Sequence, residues 1–182
     1  MGMALSIPLY TIDDLDRFPD DGNRYELLDG VLLVTPAPNQ LHQVIATRLS
    51  TRLMLAIGER GRARVVAPGV VPHPPRTQLE PDVLVYPARF PSNCAWTRIT
   101  EHWLAVEIFS PSSKIYDRKF KRAAYLTLGV REVWLVDADE RAVEVWHANG
   151  STEVLRERVT WTIPELSRDV VIELDTLFEG IE

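Results

Sequence analysis

Two acidic residues stand in strand-like segments where apolar residues would be expected. Asp82 follows Pro81 and opens the run VLVY, and Glu107 lies inside the run LAVEIF. We expect the two segments to be neighbours in one sheet, with their carboxylates meeting at one end. Paired carboxylates suit Mg²⁺ or Mn²⁺, hard cations that prefer oxygen ligands and can polarise a phosphoryl oxygen or activate a water. The alternative is that both acids only cap strand ends or pair with arginines.

A basic segment follows Glu107 at once and favours the metal interpretation. Asp117, Lys121 and Tyr125 are spaced at i, i+4 and i+8, so a helix would place them on one face. The simplest account is an Asp–Lys pair on a solvated surface. In the sharper account the helix begins beside the strand end and presents Lys121 to the metal site, where its charge stabilises a transition state. Serines and a helix N-terminus at the same point would receive a phosphate.

The common signatures of other enzyme classes are missing. The sequence contains no GxxxxGK[ST], GxGxxG or GxSxG motif, which excludes the usual nucleotide-binding and hydrolase patterns. A zinc site is not expected, because the histidines are scattered without an HExxH or paired Cys–His spacing. Cys94 is the sole cysteine, so we expect a reducing, cytoplasmic location.

Charge is unevenly distributed along the chain, although the formal net charge is −6. Residues 41–76 contain six arginines and one acid, whereas residues 132–182 contain thirteen acids and four bases. Because a polyanion responds to the local potential rather than to the sum, the basic segments could contact a nucleic-acid backbone. From charge alone, two solvated helix faces explain the pattern equally well.

The hydrophobic pattern predicts an α/β fold in one domain, residues 1–182. RYELLDGVLLV reads as a hairpin that turns at Asp29-Gly30, and a helix with one buried face should run from Leu41 to about Gly58 or Gly61. Further elements follow from run length and turn residues: strands Ala63–Val71, Asp82–Tyr86 and Trp103–Phe109, a helix over 113–128 capped by Ser112 or Ser113, and a strand over 132–136.

The order of these elements is helix, three strands, helix, strand. The last strand pair and the helix between them would form a βαβ unit in a central mixed sheet flanked by helices. In the second helix we expect Tyr116, Phe120, Ala124 and Leu128 to form one buried stripe. The runs AVEVWH, TEVLRE and DVVIEL predict an added antiparallel extension.

This order, with Pro81-Asp82 followed by Glu107, resembles the PD-(D/E)XK, or restriction-endonuclease-like, superfamily. More narrowly, the chain is similar to a bacterial family known as putative restriction endonucleases. The matching segments extend from about residue 24 to about residue 178: RYELLDG, TPAPNQLHQ, EPDVLVY, VEIFSPSS, then Asp117, Lys121 and Tyr125 before GVREVWLVD, and VVIELDTLF.

The resemblance implies a divalent-metal-dependent endonuclease that hydrolyses phosphodiester bonds in DNA. It implies Asp82 and Glu107 as ligands of Mg²⁺ or Mn²⁺ and Lys121 as a catalytic residue. Glu26 matches a further acidic position of the family. The alternative is that Glu26 is only an exposed residue of the hairpin. His42 lies in a matching segment and receives no role. One position departs from the superfamily pattern: Phe109 stands two residues after the second acid, where the lysine is usual.

Three other hypotheses fit the same residues. The first is a catalytically weak or inactive module that binds nucleic acid or protein, and it predicts DNA binding that survives EDTA and Asp82→Ala. The second is a phosphohydrolase of small phosphate esters, which would ignore long DNA. The third is a structural dimer whose acids pair with arginines. Homodimerisation is also expected for a nuclease that cuts both strands of a duplex.

Overall fold

The computed structural model describes residues 8–58, 62–109 and 117–181. Its α-helices are α1 (Ile12–Leu15), α2 (Gln40–Ile57), α3 (Arg122–Thr127) and α4 (Leu174–Leu177). Its strands are β1 (Arg24–Leu28), β2 (Val31–Thr35), β3 (Ala63–Val66), β4 (Val71–His73), β5 (Thr77–Leu79), β6 (Val83–Pro87), β7 (Leu104–Ile108), β8 (Glu132–Asp137), β9 (Ala142–His147), β10 (Thr152–Leu155), β11 (Arg158–Ile163) and β12 (Arg168–Glu173).

A six-stranded mixed sheet, the central sheet, has the order β10-β9-β8-β7-β6-β3. Strands β7 and β8 are parallel, and the other neighbouring pairs are antiparallel. The predicted order of helix, three strands, helix and strand is therefore confirmed as α2, β3, β6, β7, α3 and β8. Alternating residues of β6 face opposite ways, so both faces of the sheet are buried.

The predicted strand Ala63–Val71 is wrong. It divides into β3 in the central sheet and β4 in a second, four-stranded sheet of order β2-β1-β5-β4. Pro68 lies between them and has no N–H for a strand ladder. Gly69 then passes so close to Leu84 that an added Cβ would lie 2.3 Å from the Leu84 Cβ. Strand β5, inside the Pro-rich segment, was not predicted.

The predicted hairpin and first helix are confirmed. Strands β1 and β2 pair around Asp29 and Gly30, both of which have positive φ as the turn requires. Helix α2 begins after Asn39, whose side chain accepts a hydrogen bond from the His42 N–H, and it ends at Gly58. It buries Ile45, Leu49, Leu53 and Ile57 against the central sheet.

The predicted second helix is confirmed only in part. The stretch from residue 110 to residue 116, with the proposed serine caps, lies outside the described residues. The described part opens with a π-helical turn, Asp117–Lys121, and continues as α3. Phe120 is half exposed, contrary to the predicted stripe, whereas Lys121 and Tyr125 are buried. The wider π turn changes the phase of the helix, which explains the shifted buried face.

The C-terminal region also differs from the predicted extension. Strands β9 and β10 do extend the central sheet, but DVVIEL forms most of β12, which pairs with the unpredicted strand β11 in a separate two-stranded ribbon. Val159, Trp161 and Ile163 of β11 pack into the core that α2 shares with the central sheet. No helix in the described part of the chain is long and apolar enough to cross a membrane.

Candidate active site

Asp82 and Glu107 meet at one edge of the central sheet. Val83 pairs with Val106, so the antiparallel register places Asp82, one residue before β6, opposite Glu107. The backbone N–H of Ile108 donates to Asp82 Oδ2 at 2.8 Å. Asp82 is 4% exposed and Glu107 is 2% exposed. The two acids are therefore brought together by the sheet, as the sequence predicts.

Lys121 joins this edge to the hairpin. Its Nζ lies 2.6 Å from Glu26 Oε2 and 3.5 Å from Glu107 Oε1. The side chain of Lys121 is buried, whereas Lys119, two residues earlier, is exposed. The expectation of a solvated Asp–Lys surface pair is wrong for this lysine. The side chain of Asp117 lies outside the described set.

Glu26 is fully buried, so the alternative of an exposed hairpin residue is wrong. The Glu80 backbone N–H donates to its Oε1 at 2.7 Å, while Lys121 faces the other oxygen. Strand β1 contributes both Glu26 and Arg24. These residues are two positions apart and therefore lie on the same side of the strand.

Tyr125 also contacts Glu107, at the same carboxylate oxygen as Lys121. Its hydroxyl donates to Glu107 Oε1 at 2.6 Å. Burial raises the pKa of Tyr125, and the carboxylates of Glu107 and Glu26 raise it further, so the phenol stays protonated as a donor. The sequence places Tyr125 on the face of Lys121 but gives it no role.

Arg24 and His42 hold Asp82, and the sequence assigned neither of them to the site. Arg24 donates from Nη1 to Asp82 Oδ1 at 2.9 Å, and His42 Nε2 lies 2.9 Å from Asp82 Oδ2. Burial alone would raise the pKa of Asp82, but His42, Arg24 and the Ile108 N–H lower it below its ordinary value. The alternative that an acid pairs with an arginine is thus found at Asp82.

Phe109, which replaces the usual lysine, packs in the apolar core on the Glu107 face of the sheet. Lys121 reaches Glu107 from the helical segment instead. A lysine therefore lies near the second acid, and it comes from a different element than the superfamily pattern predicts.

The residues of the cluster fit a divalent cation in donor chemistry. Carboxylate oxygens are the ligands that Mg²⁺ prefers, and it commonly takes one or two of them and keeps several waters. Among the described side chains, three buried carboxylates (Glu26, Asp82 and Glu107) face two basic side chains, Arg24 and Lys121. The described residues contain no ready-made group of three or more metal-ligating side chains. Water and substrate would therefore complete the coordination.

Comparison with known proteins identifies a shared fold and a family. It superposes with a TM-score of 0.76 on the crystal structure of "a putative nuclease belonging to DUF820" from Anabaena variabilis. The two share 20% sequence identity over 92% of this chain and 97% of that chain, a likeness that shows a common fold. No curated protein matches the sequence. The family described as Uma2, putative restriction endonuclease, matches residues 12–179, and the chain therefore belongs to that family.

Proposed function

We propose that this protein is a divalent-metal-dependent endonuclease that hydrolyses phosphodiester bonds in DNA. The observation that carries the proposal is the buried contact of Lys121 with both Glu26 and Glu107 beside Asp82. Burying three acids and a lysine together carries a desolvation cost that their pairing does not reliably offset, and such clusters of buried ionisable groups are typical of functional sites. Membership of a restriction endonuclease family supports a hydrolase acting on nucleic acid, with DNA as the substrate.

Each residue of the cluster has a distinct proposed role. Asp82 and Glu107 would hold Mg²⁺ or Mn²⁺, which supplies Lewis-acid activation of phosphate and water when bound. Arg24 and the Ile108 N–H keep Asp82 ionised and fixed in position. Lys121 offers a positive charge to the oxygens of the reacting phosphate, and Tyr125 fixes Glu107. Glu26 holds Lys121 in place from the hairpin.

The test is cleavage of supercoiled plasmid DNA with Mg²⁺, with Mn²⁺ and with EDTA. Wild-type protein should nick the plasmid with either metal and not with EDTA. Asp82→Asn and Lys121→Gln should each lower the rate by about a hundredfold or more, the usual loss for a preorganised charge at a reacting centre. Asp139→Asn, a change at an exposed acid, serves as the control and should cleave like wild type.

A second candidate is a nuclease-fold module that binds nucleic acid without cutting it. The observation that favours it is that both oxygens of Asp82 already accept hydrogen bonds from protein groups. On this hypothesis DNA binding persists in EDTA and in Asp82→Ala, and no metal supports cleavage. A gel-shift experiment under the conditions of the plasmid assay measures DNA binding and, together with the cleavage result, distinguishes the two functions. Homodimerisation stays a prediction for either.

A further inference from the structure

Among the residues that the structure describes, Arg24 lines two clefts that differ in their charged groups. One, here called the α2 cleft, has a volume of about 220 Å³ and also contains His42 and Asp82. The other has a volume of about 520 Å³, and its lining includes Asp16, Asp20 and Glu80. A phosphodiester is negatively charged and would be repelled by the carboxylates of the second cleft. Of these two clefts, the α2 cleft is therefore the more favourable for a phosphate, and it leads to Asp82.

One face of helix α2 forms a polar wall of this cleft. Gln43, Thr47, Ser50 and Thr51 recur at the three- and four-residue spacing that places helical side chains together. Gln43, Thr47 and Thr51 are exposed, so their side-chain amide and hydroxyls are accessible to a ligand. Met54 and the Ala67-Pro68 loop supply an apolar part of the lining. Polar groups on one wall and apolar groups beside them suit a nucleoside.

His42 also lines this cleft and has one ring nitrogen left over. Its Nε2 lies 2.9 Å from Asp82 Oδ2, which leaves Nδ1 for another hydrogen bond. His42 is 8% exposed, and its buried Nδ1 has no hydrogen-bond partner among the residues that the structure describes. Buried polar atoms in native proteins are nearly always satisfied, so this nitrogen points to a bound polar group that can hydrogen-bond with it.

The size of the cleft limits what enters it. Pockets for drug-sized ligands occupy about 300 to 1,000 Å³, so 220 Å³ can hold the base or the sugar of one nucleotide and is too small for a base pair. Asp82 is 4% exposed and lines the cleft, so a phosphate that approaches it from this side must come into the cleft. A strand that delivers one nucleotide there has to be unpaired at that position.

We propose that the α2 cleft binds one unpaired nucleotide next to the reacting phosphodiester, so that single-stranded or locally unpaired DNA is the preferred substrate. This inference rests on the proposed nuclease function. The hydroxyls and amide of α2 and Nδ1 of His42 hydrogen-bond the sugar and base, and Arg24 attracts the phosphate.

The test measures binding by fluorescence anisotropy in calcium buffer and again in EDTA. Three labelled DNAs of the same sequence are compared: a single strand, a full duplex and a duplex with one unpaired base. Wild type should bind the single strand and the bulged duplex about tenfold more tightly than the full duplex. Thr51→Trp, which fills the cleft, should weaken both by about tenfold to a hundredfold, the scale of losing one nucleotide's contacts.

Leu55→Trp is the matched control, since it adds an indole to an exposed position of the same helix outside the cleft. It should bind all three DNAs like wild type. Thr47→Trp, one turn earlier in the cleft, repeats the test if Thr51→Trp lowers the unfolding temperature. If both cleft variants bind like wild type, or the full duplex binds most tightly, the cleft inference is overturned while cleavage by wild type would still support a nuclease. Wild-type protein that binds none of the DNAs and cleaves none with Mg²⁺ or Mn²⁺ overturns both proposals.

Discussion

Lys121 is the residue on which three elements of the site converge. It comes from the π-helical turn, Glu26 comes from β1 and Glu107 comes from β7, so one ammonium group joins the hairpin, the helical segment and the central sheet. A buried ion pair of this kind is poor evidence for stability, since its desolvation offsets much of the attraction. Removing the lysine alone, however, leaves the buried carboxylates of Glu26 and Glu107 without their shared partner.

Replacing Lys121 by methionine should therefore destabilise the protein by about 3 to 5 kcal/mol, because Glu26 and Glu107 lose the cation that both contact. The midpoint of urea unfolding measures the change. Lys119→Met is the matched control, since Lys119 is exposed and lies two residues earlier. Equal midpoints for the two variants would show that Lys121 does not compensate the buried acids.

At the scale of elements, the arginines of α2 serve a structural role. Arg48 donates to the carbonyls of Leu177 and Glu179, and Arg52 donates to the carbonyl of Thr176. They neutralise the carbonyl end of α4 and attach the C-terminal segment to α2. The expectation that the arginines of residues 41–76 contact a DNA backbone does not fit these two side chains.

Arg48→Gln should accordingly loosen the C-terminal segment and leave DNA binding unchanged. The amide of Phe178, which donates to the Leu174 carbonyl, should exchange its hydrogen faster with solvent. Hydrogen exchange followed by mass spectrometry measures this, with Arg62→Gln, an exposed arginine of the same basic segment, as the control. A loss of DNA affinity in Arg48→Gln without faster exchange would instead support a direct phosphate contact.

The elements also show what a sequence can predict. The hairpin, α2 and the central strands follow from local signals, namely Asp29-Gly30, Asn39 with Gly58, and continuous apolar runs. Asp82, Glu107 and Lys121 were identified from their positions in the sequence and Glu26 only through the family resemblance, and the structure brings all four together.

Other parts of the site could not be predicted because they depend on pairing between distant segments. Arg24 and Asp82 are 58 positions apart, and His42 and Asp82 are 40 apart. His42 did carry one signal: it lies three residues before Ile45 on the buried face of α2, where a polar ring requires a partner. The division of residues 63–73 between two sheets was missed because the strand pattern continues on both sides of Pro68 and Gly69.

At the scale of the whole molecule, stability should depend on pH through His102. This residue is 5% exposed, and burial lowers its pKa to about 4, while Glu101 opposes the shift. The unfolded chain binds a proton below pH ~6.5, whereas the folded protein does not until about pH 4, so stability falls as the pH is lowered through this window. The loss of unfolding free energy should approach ~3 kcal/mol at the acidic end of this pH window.

The measurement is urea unfolding at a series of pH values for wild type and His102→Asn. The variant keeps a polar side chain that does not titrate, so its stability should decline less between pH ~6.5 and ~4. The carboxylates of the active site are common to both proteins and cancel in the comparison. Parallel curves would contradict the assignment of this pH dependence to His102.

The central claim is that the buried carboxylates hold a divalent cation for catalysis, and calorimetric titration tests it most directly. Mg²⁺ and Mn²⁺ are titrated into wild type, Glu107→Gln and the exposed-site control Glu157→Gln, each with and without DNA. We predict saturable binding to wild type and Glu157→Gln that is lost in Glu107→Gln, with all three proteins folded. Wild-type protein that binds neither metal, even with DNA present, or binding unaffected by Glu107→Gln, would contradict the account.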